Sequence, residues 1–270
     1  MDIIKKLAQE LAIKEEQAKA AVQLIDEGNT IPFIARYRKE MTGALNDETL
    51  RNLHERLLYL RNLEEKKEQV INAITDQGKM TEDLKKKILS AETLVAVDDL
   101  YRPYRPKKQT RATKAKEKGL EPLANILLLQ KTTKSMEEEA AAFVNAEKGV
   151  ANAKEAIAGA KDIIAEMIAD MADYRKSIRN CTMKQGSLVV KAKDEKAESV
   201  YEMYYDFREP LSKVTGYRVL AINRGEKEKF LTVKVEAPDV QIVNALNKTM
   251  VKDNLNTKDR KSTRLNSSHA

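Results

Sequence analysis

The longest regular pattern of hydrophobic and polar positions lies between Asn46 and Gly78 and predicts one long helix. Its apolar residues recur at helical spacing, at Leu50, Leu53, Leu57, Leu60, Ile71 and Ile74. Asn46 can cap the start through its side-chain oxygen, and Gly78 can end the helix in the left-handed conformation. About 31 residues at 1.5 Å each form a strut of roughly 46 Å. Because Glu64 and Lys67 interrupt the apolar seam, we expect packing against other helices at both ends rather than a sustained coiled coil.

Three short helices are predicted before this strut helix. The apolar pattern of residues 2–12 indicates the first, Gly28 ends the second, and Pro32 suits the first turn of the third. Their close spacing resembles a helix-turn-helix arrangement, a motif that many helical cores share.

The third short helix combines cations with apolar side chains. They are Arg36, Arg38 and Lys39 together with Phe33, Ile34 and Tyr37. Since these apolar side chains must pack, we expect the cations to pair with Glu40, Asp47 or Glu48 and so lock the strut helix to the short helices. Contact with the phosphates of a nucleic acid is the alternative.

After the strut helix the pattern of apolar residues predicts further helices and then a mixture of short strands and helices. An alanine-rich stretch at 140–178 predicts two or three closely packed helices. Further on, the pattern indicates strands at Leu188–Val190 and Leu231–Val235, a tyrosine-rich helix at Ser199–Phe207 and another helix at Gly216–Arg224. The fold class is therefore mainly α: a multi-helix scaffold with a helix-turn-helix-like N-terminal part, one long strut helix, and a small β appendage near the C-terminus.

The predicted secondary structure and the composition divide the chain into three parts. Residues 1–185 are expected to form a helical N-terminal domain, and residues 186–258 a small mixed α/β segment. Residues 259–270 carry almost no apolar side chains and resemble translated vector sequence, so we expect a non-native tail there.

Composition narrows the class of protein. Among 270 residues, 42% are hydrophobic and 34% charged, with no tryptophan and nine glycines, which favours a helical globular protein. We find no apolar run of the roughly 18 to 20 residues that a membrane-spanning helix needs, and no secretory signal. We therefore expect a cytoplasmic protein with no membrane partner.

The charge of the chain is concentrated in one stretch, Tyr101–Lys118, which holds eight Lys/Arg and one acid. Its local excess of +7 equals the formal net charge of the whole chain, so the remainder is charge-balanced. The prolines after Arg102 and Arg105 predict an extended arm, because proline disfavours helix in the residue before it. Thr110 can cap a following helix on which Arg111, Lys114 and Lys118 share one face.

Such a basic stretch beside two tyrosines is typical of a surface for polyanions, most of all nucleic acid. The candidate nucleic-acid-binding residues are Tyr101, Arg102, Tyr104, Arg105, Lys107, Lys108, Arg111, Lys114 and Lys118. The cations can follow a phosphate backbone, and the tyrosines can stack on unpaired bases. A solvated basic loop without a ligand is one alternative, and a helical protein-interaction scaffold that meets an acidic partner is another.

Signals for catalysis are missing from the sequence. We find no glycine-rich phosphate loop, no Cys/His metal spacing and no nucleophile elbow. We interpret Asp98 and Asp99 as local charge balance for the arginines, and Asp170, Asp173 and Arg175 as a solvated helix face. The sequence therefore predicts a protein that is not an enzyme and that has no cofactor and no metal site.

Four stretches of the sequence occur together in a known family. They are GNTIPFIARYRKEMTGAL at Gly28–Leu45, DDLYRPYRPKKQTRATKAKEKGLEPL at Asp98–Leu123, the tyrosine-rich run Tyr201–Pro210, and RVLAINRGE at Arg218–Glu226. In this order, over residues 1–255, they resemble the bacterial Tex family of transcription accessory proteins. Tyr217 departs from the pattern, because many relatives carry histidine there, so no role of that histidine is carried over.

The resemblance implies a non-catalytic nucleic-acid-binding protein connected with transcription and related to eukaryotic elongation factors. RNA or DNA would be bound without sequence preference, with RNA polymerase or other transcription or translation machinery as further partners. The family's full chain continues into an RNase H-like domain that lacks a working active site, helix-hairpin-helix units and an RNA-binding OB-fold domain. We recognise none of these here and expect an N-terminal fragment, in which residues 186–258 lead towards the RNase H-like domain.

Overall fold

The computed structural model describes residues 2–252, and contacts divide the chain into one compact unit that ends at Arg105 and a second that begins at Pro106. The tail predicted at 259–270 lies outside the described residues. Thirteen α-helices and one three-stranded antiparallel sheet occur in the described part, so the expected mainly α fold with a small β appendage is confirmed.

The first unit is entirely helical in its described residues. Its elements are α1 (Ile3–Leu11), α2 (Glu15–Asp26), α3 (Ile31–Tyr37), α4 (Asp47–Asp76), α5 (Glu82–Ser90), α6 (Leu94–Tyr101) and a 3₁₀ turn at Arg102–Tyr104. The predicted strut helix is α4, with 30 residues. Asn46 caps it by accepting a hydrogen bond from the Thr49 amide at 2.7 Å, and Gly78 follows its end with φ +66°.

One face of α4 carries the core of the first unit. The leucines that recur at helical spacing, among them Leu53 and Leu57, are buried in the core where α4 packs on α1, α2 and α3. The interruption expected at Lys67 is not a break, because this side chain is itself buried. Its ammonium donates to Glu64 at 2.8 Å and to the Leu89 carbonyl at 2.9 Å, and these bonds offset its desolvation. Apolar burial then continues at Val70, so α4 is packed along its length rather than only at its ends.

Two bidentate ion pairs join the short helices to α4. Arg56 donates to both carboxylate oxygens of Glu10 at 2.5 and 2.9 Å, and Arg61 donates to both oxygens of Asp26 at 2.7 Å. The hydrogen bonds from each arginine hold the pKa of its partner carboxyl below the ordinary value. Planar guanidinium and carboxylate groups match in this geometry, which fixes the orientation of α1 and α2 on α4.

The ion pairs expected between α3 and α4 do not form. Asp47 pairs with Arg51 of its own helix at 2.6 Å, and within residues 2–252 neither Arg36 nor Lys39 lies in salt-bridge range of a carboxylate. The assumption that the aromatic side chains of α3 must pack is also wrong: Phe33 is 36% exposed and Tyr37 is 65% exposed. Ile34 is fully buried and anchors this short helix, with Ile31 and Ala35 half-buried beside it, while the two aromatic side chains lie further out.

The second unit begins with a helical layer. Its elements are α7 (Arg111–Glu117), α8 (Glu121–Leu129), α9 (Met136–Ala141), α10 (Ala153–Asp170) and α11 (Ala172–Gln185). A capping box is present at the start of α9, because the Ser135 hydroxyl accepts from the Glu138 amide at 3.2 Å and the Glu138 carboxylate accepts from the Ser135 amide at 2.8 Å. Helix α10 is central to this layer and packs on α7, α8 and α9.

The sheet follows the helical layer, with elements β1 (Ser187–Ala192), β2 (Asp206–Pro210), α12 (Gly216–Lys227), β3 (Leu231–Glu236) and α13 (Asp239–Met250). Strand β1 is central in the order β2-β1-β3, and both neighbours are antiparallel to it. The buried Val190 lies opposite Phe207 on one side and Val233 on the other. This sheet has a core separate from that of the helical layer, and the boundary that we predict at 185/186 lies between the two cores and stays a prediction.

The tyrosine-rich helix expected at Ser199–Phe207 is wrong. Only a 3₁₀ turn forms there, at Glu202–Tyr204, and strand β2 starts at Asp206. Tyr201 and Tyr204 are buried in the core of the sheet, and the Tyr201 hydroxyl donates to Glu228 at 2.9 Å. Pairing with β1 satisfies the backbone of β2 in place of a helical ladder, so tertiary packing overrides the local helical pattern.

Candidate nucleic-acid interface

The basic segment Tyr101–Lys118 is divided by the boundary between the two units, after Arg105. Four of the nine candidate residues therefore belong to the first unit and five to the second. The segment therefore contributes one half to each compact unit.

The half in the first unit is a compact turn and not the extended arm that its prolines predict. Arg102 has φ −52° and ψ −42°, and the Arg105 amide donates to the Tyr101 carbonyl at 3.1 Å. Pro103 is tolerated because it stands in the first turn of the 3₁₀ helix, where its missing N–H has no acceptor to satisfy. Extended backbone begins only at Arg105, with φ −67° and ψ 133°.

Side-chain contacts hold this turn against the first unit. The rings of Tyr101 and Tyr104 are half-buried against its core, and Gln77 of the first unit donates to the Tyr104 carbonyl at 3.0 Å. Arg105 pairs with Asp98, which confirms local charge balance there, and its guanidinium lies 5.6 Å from the centre of the Tyr101 ring. Neither tyrosine thus offers a fully open ring face, while Arg102 is exposed.

The half in the second unit surrounds α7. The Thr110 hydroxyl caps this helix as predicted, by accepting from the Thr113 amide at 3.0 Å. Ala112 and Ala115 are buried where α7 packs on α10, whereas Arg111 and Lys114 are exposed. These small residues permit close approach of the two helices.

The backbone of α10 lies close to its neighbours at Gly159. A Cβ atom placed there would lie 3.2 Å from the Ala115 side chain of α7 and 2.4 Å from the Leu120 side chain before α8, so a larger residue requires these neighbours to move. The position of α7 along α10 is therefore well determined.

An acidic stripe on α10 lies beside the basic segment, formed by Asp162, Glu166 and Asp170 at a spacing of four residues. Lys107 hydrogen-bonds to Asp170, and its ammonium lies 3.3 Å from a Glu166 oxygen. Arg111 lies 3.7 Å from Asp162 but keeps 88% of its side chain exposed. The stripe therefore already neutralises part of the positive charge that the sequence concentrates here.

The interpretation of Asp170 as part of a solvated helix face is wrong, since only 7% of it is exposed. As the last residue of α10, its carboxylate adds to the negative end of the helix dipole and needs a cation, which Lys107 supplies. The spacing of the stripe is visible in the sequence, but nothing in the sequence indicates which segment lies beside it.

Three exposed candidate cations have no carboxylate within salt-bridge range in the described part of the chain: Lys108, Lys114 and Lys118. Lys118 donates to the Gly149 carbonyl at 2.7 Å, a bond that leaves its charge uncompensated. The second unit thus presents free positive charge at three positions around α7, and a fourth at Arg111 in loose contact with Asp162. This arrangement can attract an anion or a polyanion.

Residues 2–252 contain no group of three His, Cys, Asp or Glu side chains that could hold a metal ion. None of the helices in the same range is both long and apolar enough to cross a membrane.

Comparison with family models and with individual proteins identifies relatives of the chain. Residues 1–75 match the model of the Tex-like protein N-terminal domain, and residues 131–266 match the Tex central region-like model. The chain is 43% identical to the protein YdcI of Bacillus subtilis over 250 residues, which cover 92% of this chain and 35% of YdcI.

Two further relatives agree. The chain is 45% identical to the protein YhgF of Escherichia coli over 86% of this chain and 30% of YhgF, and 41% identical to the Transcriptional accessory protein Tex of Neisseria gonorrhoeae over 87% of this chain and 31% of that protein. The chain spans about a third of the length of these relatives. With a family model over half of its length and relatives above 40% identity over most of it, the chain belongs to the Tex family of transcription accessory proteins.

Proposed function

We propose that this chain acts in transcription as a non-catalytic nucleic-acid-binding module, and that it contacts the phosphate backbone through the cations around α7. The observation that carries the proposal is the free positive charge of Lys108 and Lys114, exposed in the second unit with no carboxylate near them in the described residues. A relative named Transcriptional accessory protein Tex supports the connection with transcription.

The arrangement favours weak binding that does not depend on base sequence. Exposed lysine ammonium groups such as those of Lys108 and Lys114 reach phosphates, and phosphate contacts carry no sequence information. Lys108 and Lys114, with Arg111 and Lys118 as further contacts, can neutralise about two to four phosphates. The slope of log K against log salt on single strands should then be about −1.4 to −2.8. Such binding falls steeply as salt rises.

The first unit contributes a second, smaller set of contacts in this proposal. Arg102 is exposed and can meet a phosphate, while Tyr101 and Tyr104 can meet a base only with the ring edges that packing leaves open. The expected stacking on these two tyrosines is therefore the weaker part of the proposal.

A helical protein-interaction scaffold is the second candidate function, with RNA polymerase or another part of the transcription or translation machinery as partner. The ion pairs of Lys107 and Arg111 favour it, because they show that this segment accepts carboxylates at close range. An acidic surface of a partner protein offers carboxylates, the same groups that form the stripe on α10.

Binding measured against salt separates the two. Fluorescence anisotropy with single- and double-stranded RNA and DNA, from about 20 to 200 mM KCl, should detect binding by the parent chain that weakens with salt. Changing Lys108 and Lys114 together to Gln should flatten the slope on single strands by about 1.4, since each lost phosphate contact removes about 0.7.

The matched control removes the same charge elsewhere in the second unit, with Lys196, in the turn after β1, and Lys234, in β3, changed together to Gln. Both lysines are exposed and lie away from α7 in sequence and in fold. If this control and the Lys108/Lys114 variant lose affinity equally, net charge alone accounts for binding. If neither variant differs from the parent, the cations around α7 are not the contact surface, and the scaffold function becomes the better account.

A further inference from the structure

The short helix α3 and the turn after it carry aromatic and cationic side chains that take no part in the fold. Tyr37 is 65% exposed, and Arg36, Arg38 and Lys39 are exposed around it. In the described part of the chain none of these three cations is in salt-bridge range of a carboxylate. This aromatic-basic patch belongs to the first unit and is separate from the basic segment considered above.

Buried residues and hydrogen bonds hold the backbone of the aromatic-basic patch in place. Ile34 and Thr42 are fully buried beneath it, and the Thr42 hydroxyl donates to the Arg38 carbonyl at 3.2 Å. Gln17 of α2 donates to the Gly43 carbonyl at 2.9 Å. At Gly43, with φ +58°, a Cβ would lie 2.7 Å from the Gln17 amide nitrogen, so the turn fits closely against α2. The exposed side chains therefore stand on a backbone that other residues already hold in place.

The rings within the patch are arranged so that one of them is open. Phe33 is flanked by the Arg38 guanidinium at 5.1 Å from its centre and by the Tyr37 ring at 5.2 Å. The Phe33 ring thus contacts the Tyr37 ring in a tilted arrangement, and the Arg38 guanidinium donates to the Tyr37 backbone carbonyl at 3.3 Å. The larger exposure of Tyr37 leaves it free to take another flat group.

An open aromatic ring with unpaired cations beside it has the chemistry of a single-strand nucleic-acid contact. Every base presents a π face that can stack on such a ring, and the cations can reach the phosphates on either side of the stacked base. A duplex cannot use the ring, because its bases are already stacked and paired.

We propose that this patch binds single-stranded nucleic acid, with one base stacked on Tyr37 and the flanking phosphates held by Arg36 and Lys39. The site is independent of the cations around α7, which make no distinction between strands. It supplies a preference for single strands that phosphate contacts alone cannot supply.

A matched control exists in the second unit. Tyr217 is also 65% exposed and also has an arginine near its ring, with the Arg218 guanidinium 5.7 Å from its centre. Arg218, however, is paired with Glu209, so its charge is compensated. Tyr217 thus reproduces the ring and its exposure without the free cations.

The test compares Tyr37→Ala, Tyr37→Phe and Tyr217→Ala in the whole chain, by anisotropy with a twelve-nucleotide oligouridine and with a duplex of the same length. Tyr37→Ala should weaken binding of the single strand about fivefold or more and leave the duplex unchanged, because a base on an aromatic ring contributes about 1 to 3 kcal/mol. Tyr37→Phe keeps the ring and should retain parent affinity. Tyr217→Ala should change neither ligand.

The cations are tested separately. Changing Arg36 and Lys39 together to Gln should flatten the salt slope on the single strand by about 1.4. Circular dichroism and the melting temperature should match the parent for all of these variants, since the changed side chains are exposed.

Three results would overturn the proposal: parent affinity of Tyr37→Ala for the single strand, an equal loss on single strand and duplex, or an equal loss in Tyr217→Ala. The Lys108/Lys114 double variant, measured in parallel, reports on the function proposed above. If that variant weakens both ligands while Tyr37→Ala weakens neither, only the inference about α3 falls. A patch that fails in this way would be left as a protein-docking surface.

Discussion

The acidic stripe of α10 should compete with nucleic acid for the cations of the second unit. The perturbation that tests this is the triple change Asp162→Asn, Glu166→Gln and Asp170→Asn, which keeps size and hydrogen-bonding capacity while removing three negative charges. In the parent these carboxylates hold Lys107 and Arg111. Once they are neutral, both cations become available to phosphates.

The magnitude follows from the number of cations released. Two additional phosphate contacts steepen the slope of log K against log salt by about 1.4 on single strands. Between 50 and 200 mM salt, the triple variant should therefore lose about sevenfold more affinity than the parent loses. At the low end of that range it should bind more tightly than the parent.

Stability should change in the opposite direction. Lys107 keeps only 28% of its side chain exposed, and Asp170 keeps 10%. Loss of a charged hydrogen-bond partner by a partly buried ammonium lowers the free energy of unfolding by about 1 to 3 kcal/mol. The melting temperature of the variant should therefore fall by a few degrees. Higher affinity together with lower stability distinguishes release of the cations from a general improvement of the fold.

The assay is anisotropy with a labelled twenty-nucleotide single strand and the corresponding duplex, over at least five salt concentrations. Its control changes Glu147, Glu195 and Glu198 together to Gln, three exposed carboxylates of the second unit that have no cation in salt-bridge range among the described residues. This control alters the net charge equally. Equal slopes in the triple variant, the control and the parent would refute the competition, and equal gains in both variants would show that only net charge matters.

Three further predictions concern the first unit and the packing of α10. Arg56 holds the pKa of Glu10 below its ordinary value of 4.5, so this pair stabilises the fold above that pH and its contribution is lost as the pH falls through the lowered pKa. A melting series from pH 6 to pH 2 should therefore show a larger acid-induced fall in melting temperature for the parent than for an Arg56→Gln variant, in which Glu10 loses the main cause of its lowered pKa. Leu57→Asp buries an unpaired carboxylate and should lower the free energy of unfolding by several kcal/mol in urea titrations, whereas Leu58→Asp, on the exposed side of the same helix, should melt within a degree or two of the parent. Gly159→Ala places a Cβ into the contact between α7 and α10, and overpacking of about 1 to 3 kcal/mol should outweigh the gain of about 1 kcal/mol in helix propensity; a rise in melting temperature would contradict that packing.

The sequence by itself determined the elements whose signals are local. The start and end of α4 follow from Asn46 and Gly78, because a cap acts within a single turn of helix. Strand β3 follows from the alternation of Leu231, Val233 and Val235, because a period of two residues needs no partner to be visible. The four family motifs were equally readable, and they indicated the Tex family before any contact was known.

Elements whose state depends on distant residues were decided by the tertiary structure. The tyrosines at 201 to 205 fit a helix locally, yet Tyr201 and Tyr204 fill the core of the sheet and β2 begins directly after them. The aromatic side chains of α3 fit a buried face, yet the core below that helix takes Ile34, with Ile31 and Ala35 at its edge, and leaves Tyr37 exposed. A pattern of apolar residues states what can be buried, and the available space in the assembled core selects what is buried.

The distribution of charge shows most clearly what the sequence determines and what the tertiary structure decides. Counting residues located the entire basic excess between Tyr101 and Lys118, but the attraction between charges depends on their distance in space. Only the close packing of α7 on α10, permitted by Gly159, brings the acidic stripe beside Lys107 while leaving Lys114 free. The sequence states how many charges the chain carries, and the tertiary structure decides which of them remain for a partner, because neutralisation requires two groups to meet and no local rule specifies that meeting.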